Sequence, residues 1–232
     1  MRAYLESYRL VDFTGEMTAA YPGFLRATPK NGPSGAAGAP IELGSIRPMP
    51  PTEPTATGGP PSHPDIYGYA PYFVASLAPV GDGFRAFVCE GDYSVFRADR
   101  ADPNKFRSIV TRDGSAEPPR GDLYGINIGR IELTNMDSRV PTDHPAAPSA
   151  PQIGPAPAPN VDVFGAWFVT AASFTLWGEI GGAQDIATPE LEQKCADNMP
   201  DDASARKAMY TGAHDQPPPH GDPIPGWPAE AK

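Results

Sequence analysis

Apolar positions alternate at strand spacing through the middle of this chain and recur at helical spacing near its ends. Tyr4, Tyr8 and Val11 fall at i, i+4 and i+7, with Leu5 beside them and Arg2, Glu6 and Arg9 on other faces. That spacing predicts one amphipathic helix, or two short ones, over residues 2–21. Gly15 weakens its middle, and Tyr21-Pro22-Gly23 ends it. From Tyr67 the texture becomes aromatic and β-branched. In "FRAFVCEGDYSVFRA" (84–98), Phe84, Ala86 and Val88 share one face at period two, and Phe87 and Cys89 share the other. The pattern predicts a hairpin turning at Glu90-Gly91-Asp92, with Tyr93, Val95 and Phe96 on the return strand. "FRSIVTRDG" (106–114) predicts another short strand ending in an Asp-Gly turn.

Two further stretches carry more information. In "DLYGINIGRIELTN" (122–135), Tyr124, Ile126 and Ile128 are apolar on even positions, whereas Ile131 and Leu133 are odd. The phase flips at Gly129-Arg130, which predicts a β-bulge or sharp bend there, hence a strongly curved sheet. "VDVFGAWFVTAASFTLWGEI" (161–180) is the most apolar stretch. Its sixteen uncharged residues, Val163–Gly178, fall short of the roughly 20 that a membrane helix needs. Val, Phe, Trp and Thr dominate, so the stretch predicts a bent strand, or two strands turning near Thr170–Ser173. Val163, Trp167, Val169 and Trp177 would face one way, and Phe164, Phe168, Phe174 and Leu176 the other. Both faces are apolar, which predicts cover on both sides.

After Gly181-Gly182 the pattern turns helical. Thr188 is a good N-cap, with Pro189 at the first helical position and Glu190 at the positive end of the helix dipole. Leu191 and Cys195 share one face. A second short helix is expected from Asp201 or Asp202 to Arg206 and Lys207, before Gly212.

Composition changes this picture in one respect. Proline supplies 31 of 232 residues, about 13%, against a usual share of about 5%. The prolines cluster, dividing the chain into a helical segment (1–28), a proline-rich arm (29–66), a β-rich core (67–140), a Pro/Ala linker (141–160), a segment completing the core (161–212) and a proline-rich tail (213–232). Ile41, Leu43 and Ile46 are placed to pin the first arm as a short edge strand. Trp227 is a candidate anchor for the tail. The expected fold class is α+β: a curved, mostly antiparallel sheet packed by an N-terminal helix and two short C-terminal helices, with long proline-rich loops.

The net charge of −10 argues against nucleic acid or an anionic membrane surface as partner. The densest basic run, "FRADRADPNKFR" (96–107), is interleaved with acids and reads as a solvated turn. Cys89 and Cys195 are the only cysteines. They fit a single structural disulfide in an oxidising compartment; two buried thiols are the alternative. "MRAYLESYRLVDF" has no apolar signal core. Either the chain is cytoplasmic, the second choice, or an export segment or lipid anchor was removed from a mature form.

Candidate chemistry is sparse. The chain has no nucleophile elbow, phosphate loop, zincin helix, C-x-x-C or EF-hand motif, and no cofactor is expected. His63, His144, His214 and His220 all fall in proline-rich tracts. His214, His220 and Asp222, with Asp215, are weak metal candidates on an extended arm. Asp99, Asp102, Asp201 and Asp202 read as turn or cap residues. A buried pair such as Asp162 and Glu179, flanking aromatic surface, would be more suggestive of acid/base work or sugar binding. Tyr124, Trp167 and Trp177 are candidate pocket residues inside the sheet.

The tracts "FVCEGDYSVFR", "VFGAWFVTAASFTLWGE" and "HDQPPPHGDPIPGWP", with the Pro/Ala runs, resemble uncharacterised actinobacterial, mycobacterial-type secreted or lipid-anchored envelope proteins. The resemblance is one of style over most of the chain and carries no functional residue with it. The order of helix, curved antiparallel sheet and long buried strand also resembles the cone-shaped nuclear-transport-factor-2-like fold, which hosts enzymes and non-enzymes alike. The expected role is a non-enzymatic, extracytoplasmic envelope protein, an accessory subunit or protein-binding module whose partners are other envelope subunits. The alternative is a small-ligand-binding protein or enzyme with a pocket inside the sheet.

Overall fold

A computed structural model describes residues 1–33, 35, 37–48, 65–99, 101–110, 123–140 and 152–228. Residues 34, 36 and 49–64 of the first proline-rich arm, the first part of the Pro/Ala linker and the Asp113-Gly114 turn lie outside them. So do His63 and His144.

The helix predicted from Tyr4, Tyr8 and Val11 is α1 (Arg2–Thr14). Tyr4 and Val11 are completely buried. Gly15 ends the helix in the left-handed conformation (φ 68°), its N–H bonded to the Val11 carbonyl at 2.7 Å, so the glycine that weakened the pattern is a C-cap. A 3-10 turn (Met17–Ala19) and the single-turn helix α2 (Phe24–Ala27) follow. Ile41 and Leu43 form a helical turn, α3 (Ile41–Gly44), rather than the expected edge strand. Pro40 fixes φ for a helix start.

Among the described residues nine strands follow, and every pairing is antiparallel. β1 (Ile66–Gly68), β4 (Val95–Ala98) and β5 (Phe106–Ser108) form a small sheet in the order β1-β4-β5. The main sheet has the order β2-β3-β6-β7, from β2 (Tyr72–Val80), β3 (Gly83–Gly91), β6 (Ile126–Thr134) and β7 (Phe168–Ser173). β8 (Leu176–Trp177) pairs with β9 (Gln184–Asp185). α4 (Pro189–Asn198) is capped by the Thr188 hydroxyl, which accepts from Leu191 N. α5 (Ala203–Tyr210) is capped by Asp202, which accepts from Ala205 N. The α+β expectation therefore holds.

Three sequence expectations are corrected. Glu90-Gly91-Asp92 is not a hairpin turn. β3 pairs with β2, across a turn at Gly81-Asp82, and with β6, while β4 belongs to the other sheet. The chain leaves the sheet there because Gly91 N–H bonds to the Pro71 carbonyl (2.9 Å) and Asp92 N–H to the Gly125 carbonyl (2.7 Å). Second, no bulge breaks Gly129-Arg130: β3 and β6 pair without a shift from Gly83↔Thr134 to Gly91↔Ile126. The parity flip has another cause. One face of the sheet is covered at one end, and the opposite face at the other. Ile126 and Ile128 pack with Cys89 and Cys195 under α4, whereas Ile131 and Leu133 pack with Tyr4, Ala86 and Val88 under α1. The irregularities fall on the outer strands, at Ala75 of β2 and Thr170 of β7. Third, the 161–180 stretch does form two strands, but they turn at Phe174-Thr175 rather than near Thr170–Ser173. Trp167 and Trp177 consequently join different clusters, on opposite faces. β7 itself is shielded front and back, and no helix among the described residues is long and apolar enough to cross a membrane.

Candidate functional site

Cys89 and Cys195 form a disulfide, with Cα atoms 5.5 Å apart. It ties the C-terminal part of β3 to α4, on the face that Ala75, Ile128 and Met199 also fill. A structural disulfide is consistent with an oxidising, extracytoplasmic environment.

The opposite face of the same strand carries a buried cluster of charge. Glu90 continues the Ala86, Val88 alternation and is completely buried, and Asp92 is 3% exposed. Arg9, on the α1 face beside Leu5, reaches both. Its Nε donates to Glu90 Oε1 at 2.5 Å, its Nη2 donates to Glu90 Oε2, and the same Nη2 lies 3.3 Å from Asp92 Oδ2. Nη1 donates to Asp12 Oδ2 at 2.9 Å. Tyr72 of β2 donates its hydroxyl to Glu90 Oε1 at 2.7 Å, and Asn127 of β6 donates Nδ2–H to Asp92 Oδ2 at 2.6 Å. Asp92 Oδ1 is buried without a hydrogen-bond partner. Burial, and then the neighbouring Glu90 charge, push the Asp92 carboxyl up to about 7, against the pull of Arg9 and Asn127. Burial works against the Arg9 charge, but the bond to Glu90 and the field of both carboxylates hold its pKa well above the ordinary value.

A carboxyl raised toward neutrality suits acid/base work. The surroundings argue otherwise. Tyr72, Asn127 and Arg9 enclose the pair, and neither carboxylate lines either of the two cavities described below. We read the group as a sealed polar lock between α1 and the sheet. The sequence hid it because Glu-Gly-Asp is an ordinary turn string. The legible signal was Glu90 standing in phase with Ala86 and Val88.

The other sequence candidates are dispersed. Tyr124 packs edge-on to Tyr210 (5.8 Å) and lies 5.6 Å from Lys207 Nζ. Trp167 meets Phe84 at 5.8 Å, and Trp177 lies under the Arg130 guanidinium at 3.7 Å. No ring contact joins any two of the three. Asp162 and Glu179 are exposed, and Asp162 is held by Arg26 at 2.8 Å. Asp201 accepts from the hydroxyls of Tyr69 (3.1 Å) and Tyr93 (2.8 Å). His214 pairs its backbone with Phe106, its ring 5.1 Å from Phe96, while His220 and Asp222 are exposed. Among the described residues no group of three or more His, Cys, Asp or Glu is placed to hold a metal ion. Trp227 is completely buried. Its Nε1–H donates to Glu6 Oε2 at 2.8 Å, and Arg2 stacks on its ring at 4.0 Å. The tail is thereby pinned to the start of α1.

Two cavities open on the margins of the fold. One, of about 420 Å³, lies between the β2–β3 turn and the end of β6, lined by Asp82, Phe84, Glu132 and Met136 among others. The second, of about 400 Å³, lies between Tyr8 of α1, Ile41 of α3 and the β7–β8 turn.

The remaining surface feature is an edge. β2 ends the main sheet, and among the described residues nothing pairs with its outer side. Its nine residues, YFVASLAPV, carry no charge. Leu77 is 57% exposed and Val74 41%. Pro79, confined like most sheet prolines to an edge, and the register shift at Ala75 are what β2 sets against further pairing; no charged side chain joins them. No protein-family model matches the chain, and neither does any curated protein or solved structure.

Proposed function

We propose that this chain is a non-enzymatic, extracytoplasmic binding module, an accessory subunit of a cell-envelope assembly, which takes up an extended segment of a partner protein along β2. One observation carries the reading: a nine-residue edge strand without a charged side chain, left unpaired among the described residues in a molecule that covers its other main edge. An added strand would satisfy the idle N–H and C=O groups of β2, and apolar side chains on the partner would cover Val74 and Leu77. The acid pair, the other place where chemistry could reside, is occupied by Arg9 and enclosed. The disulfide supports an oxidising compartment. The acidic net charge disfavours nucleic acid and anionic lipid as alternatives to protein. The resemblance of the proline-rich tracts to actinobacterial envelope proteins supports the location.

The test is site-specific photo-crosslinking in the native host. A photoreactive residue at Leu77 should capture one defined protein, and the same residue at exposed Lys194 on α4 should not. Capture of nothing at Leu77, or of the same proteins from both positions, contradicts the reading. Capture of a second copy of this chain alone would replace the partner with self-association.

A further inference from the structure

The 400 Å³ cavity beside Tyr8 raises a question that the docking edge does not answer. Its volume falls in the range of small-molecule sites. Pro33, Pro40, Ile41, Phe174 and Ile180 supply apolar walls, and Tyr8, Ser45, Ser173 and Thr175 are the lining residues that carry hydroxyls. Among the described residues no charged side chain lines it. Ser45 spends its hydroxyl on the Ala172 carbonyl (3.2 Å), and Ser173 accepts from Thr175 N–H (3.4 Å). The Tyr8 hydroxyl has no protein partner among the described residues. Burial, then the Asp12 charge, push its pKa up to about 12, so it stays a neutral donor.

The aromatic wall is held in place. Phe174 lies directly on Gly129 of β6; a Cβ at that glycine would stand 2.6 Å from the ring, so the ring can rest there only because the side chain is absent. Tyr8 meets Phe174 at 5.7 Å, and the Arg9 guanidinium lies 5.5 Å from the ring centroid on the protein side. Arg9 is not free to attract an anion into the cavity, because Glu90, Asp92 and Asp12 already take its donors. A charged ligand would enter an apolar space without a counter-charge. A neutral ring would gain the Phe174 face and one hydrogen bond.

We infer that this cavity binds an uncharged, ring-bearing small molecule with one polar atom, oriented by the Tyr8 hydroxyl against the Phe174 ring. The inference is independent of partner docking at β2. The probe is N-phenyl-1-naphthylamine, neutral and fluorescent in apolar surroundings, titrated into the purified, disulfide-intact chain. Saturable binding at one site per chain is expected. Thr175→Trp, which fills the cavity from its exposed rim, should abolish it. Tyr8→Phe, which keeps the ring, should weaken it roughly five-fold. Leu77→Lys, at the sheet edge, should leave it unchanged. No saturable signal overturns the inference, as does binding that survives in a folded Thr175→Trp or is lost in Leu77→Lys. Should Thr175→Trp fail to fold, unchanged affinity in Tyr8→Phe overturns it equally.

Discussion

The main sheet has two outer strands, and the protein treats them in opposite ways. β7 is covered. α3 packs against it, the Ser45 hydroxyl bonds to the Ala172 carbonyl, and the bridge between Pro40 and Glu179 holds the connection just past it. β2 is bare along its outer side among the described residues, and its exposed positions, Ser76 apart, are apolar. An uncharged edge is a liability for a protein that must remain alone, and evolution usually blunts it with lysine or a bulge directed outward. Here the strand has a register shift at Ala75, but that residue turns inward, to pack with the disulfide. The contrast suggests an edge kept open for use.

That contrast can be broken or sharpened by substitution. The largest effect is expected from the disulfide, which fixes α4 across the face behind β2. Replacing Cys89 and Cys195 with serine, which frees a loop spanning 106 residues, should cost about 4–5 kcal/mol by denaturant titration. Arg9→Met should cost about 3–5 kcal/mol, because Glu90 and Asp92 would stay buried without their cation. Ile46, buried next to the covered edge, should lose about 2–4 kcal/mol on truncation to alanine.

Asp92 gives a pH test. Its carboxyl moves from an ordinary value of 3.8 to about 7 on folding, so the folded protein binds the proton more tightly than the unfolded chain. Its contribution is complete below about pH 4 and is lost as pH rises through 7. Asp92→Asn should therefore gain on the wild type between pH 5 and pH 8 by on the order of 1–3 kcal/mol, read from urea melts at the two values. An unchanged difference would place the charge of Asp92 in full compensation with Arg9. The smallest effect belongs to the open edge. Leu77→Lys should change stability by less than about 0.5 kcal/mol, yet abolish partner capture.

The elements were largely legible in the sequence because each rests on local signals. α1 follows from Tyr4, Tyr8 and Val11, α4 from Thr188-Pro189, and the disulfide from a bare pair of cysteines. Topology was less so. Glu90-Gly91-Asp92 has the composition of a turn, and only long-range hydrogen bonds to Pro71 and Gly125 make it a strand exit. The parity flip in β6 was legible as a fact but not as a cause, since a bulge and a change of covered face write the same letters. The acid pair was missed for the same reason as the turn. Its partner Arg9 lies 81 residues away, and no local pattern joins the two. Tyr124, Trp167 and Trp177 were grouped by residue type, and the sheet separates them.

Residue-resolved amide hydrogen exchange on the isolated chain tests the open edge most directly. Along β2, from Phe73 to Ala78, amides should alternate between slow exchange, where they bond to β3, and exchange near the unprotected rate, where they face outward, while central β3 stays slow from Ala86 to Glu90. Uniform protection along β2 would show its outer side already occupied, and would contradict the account.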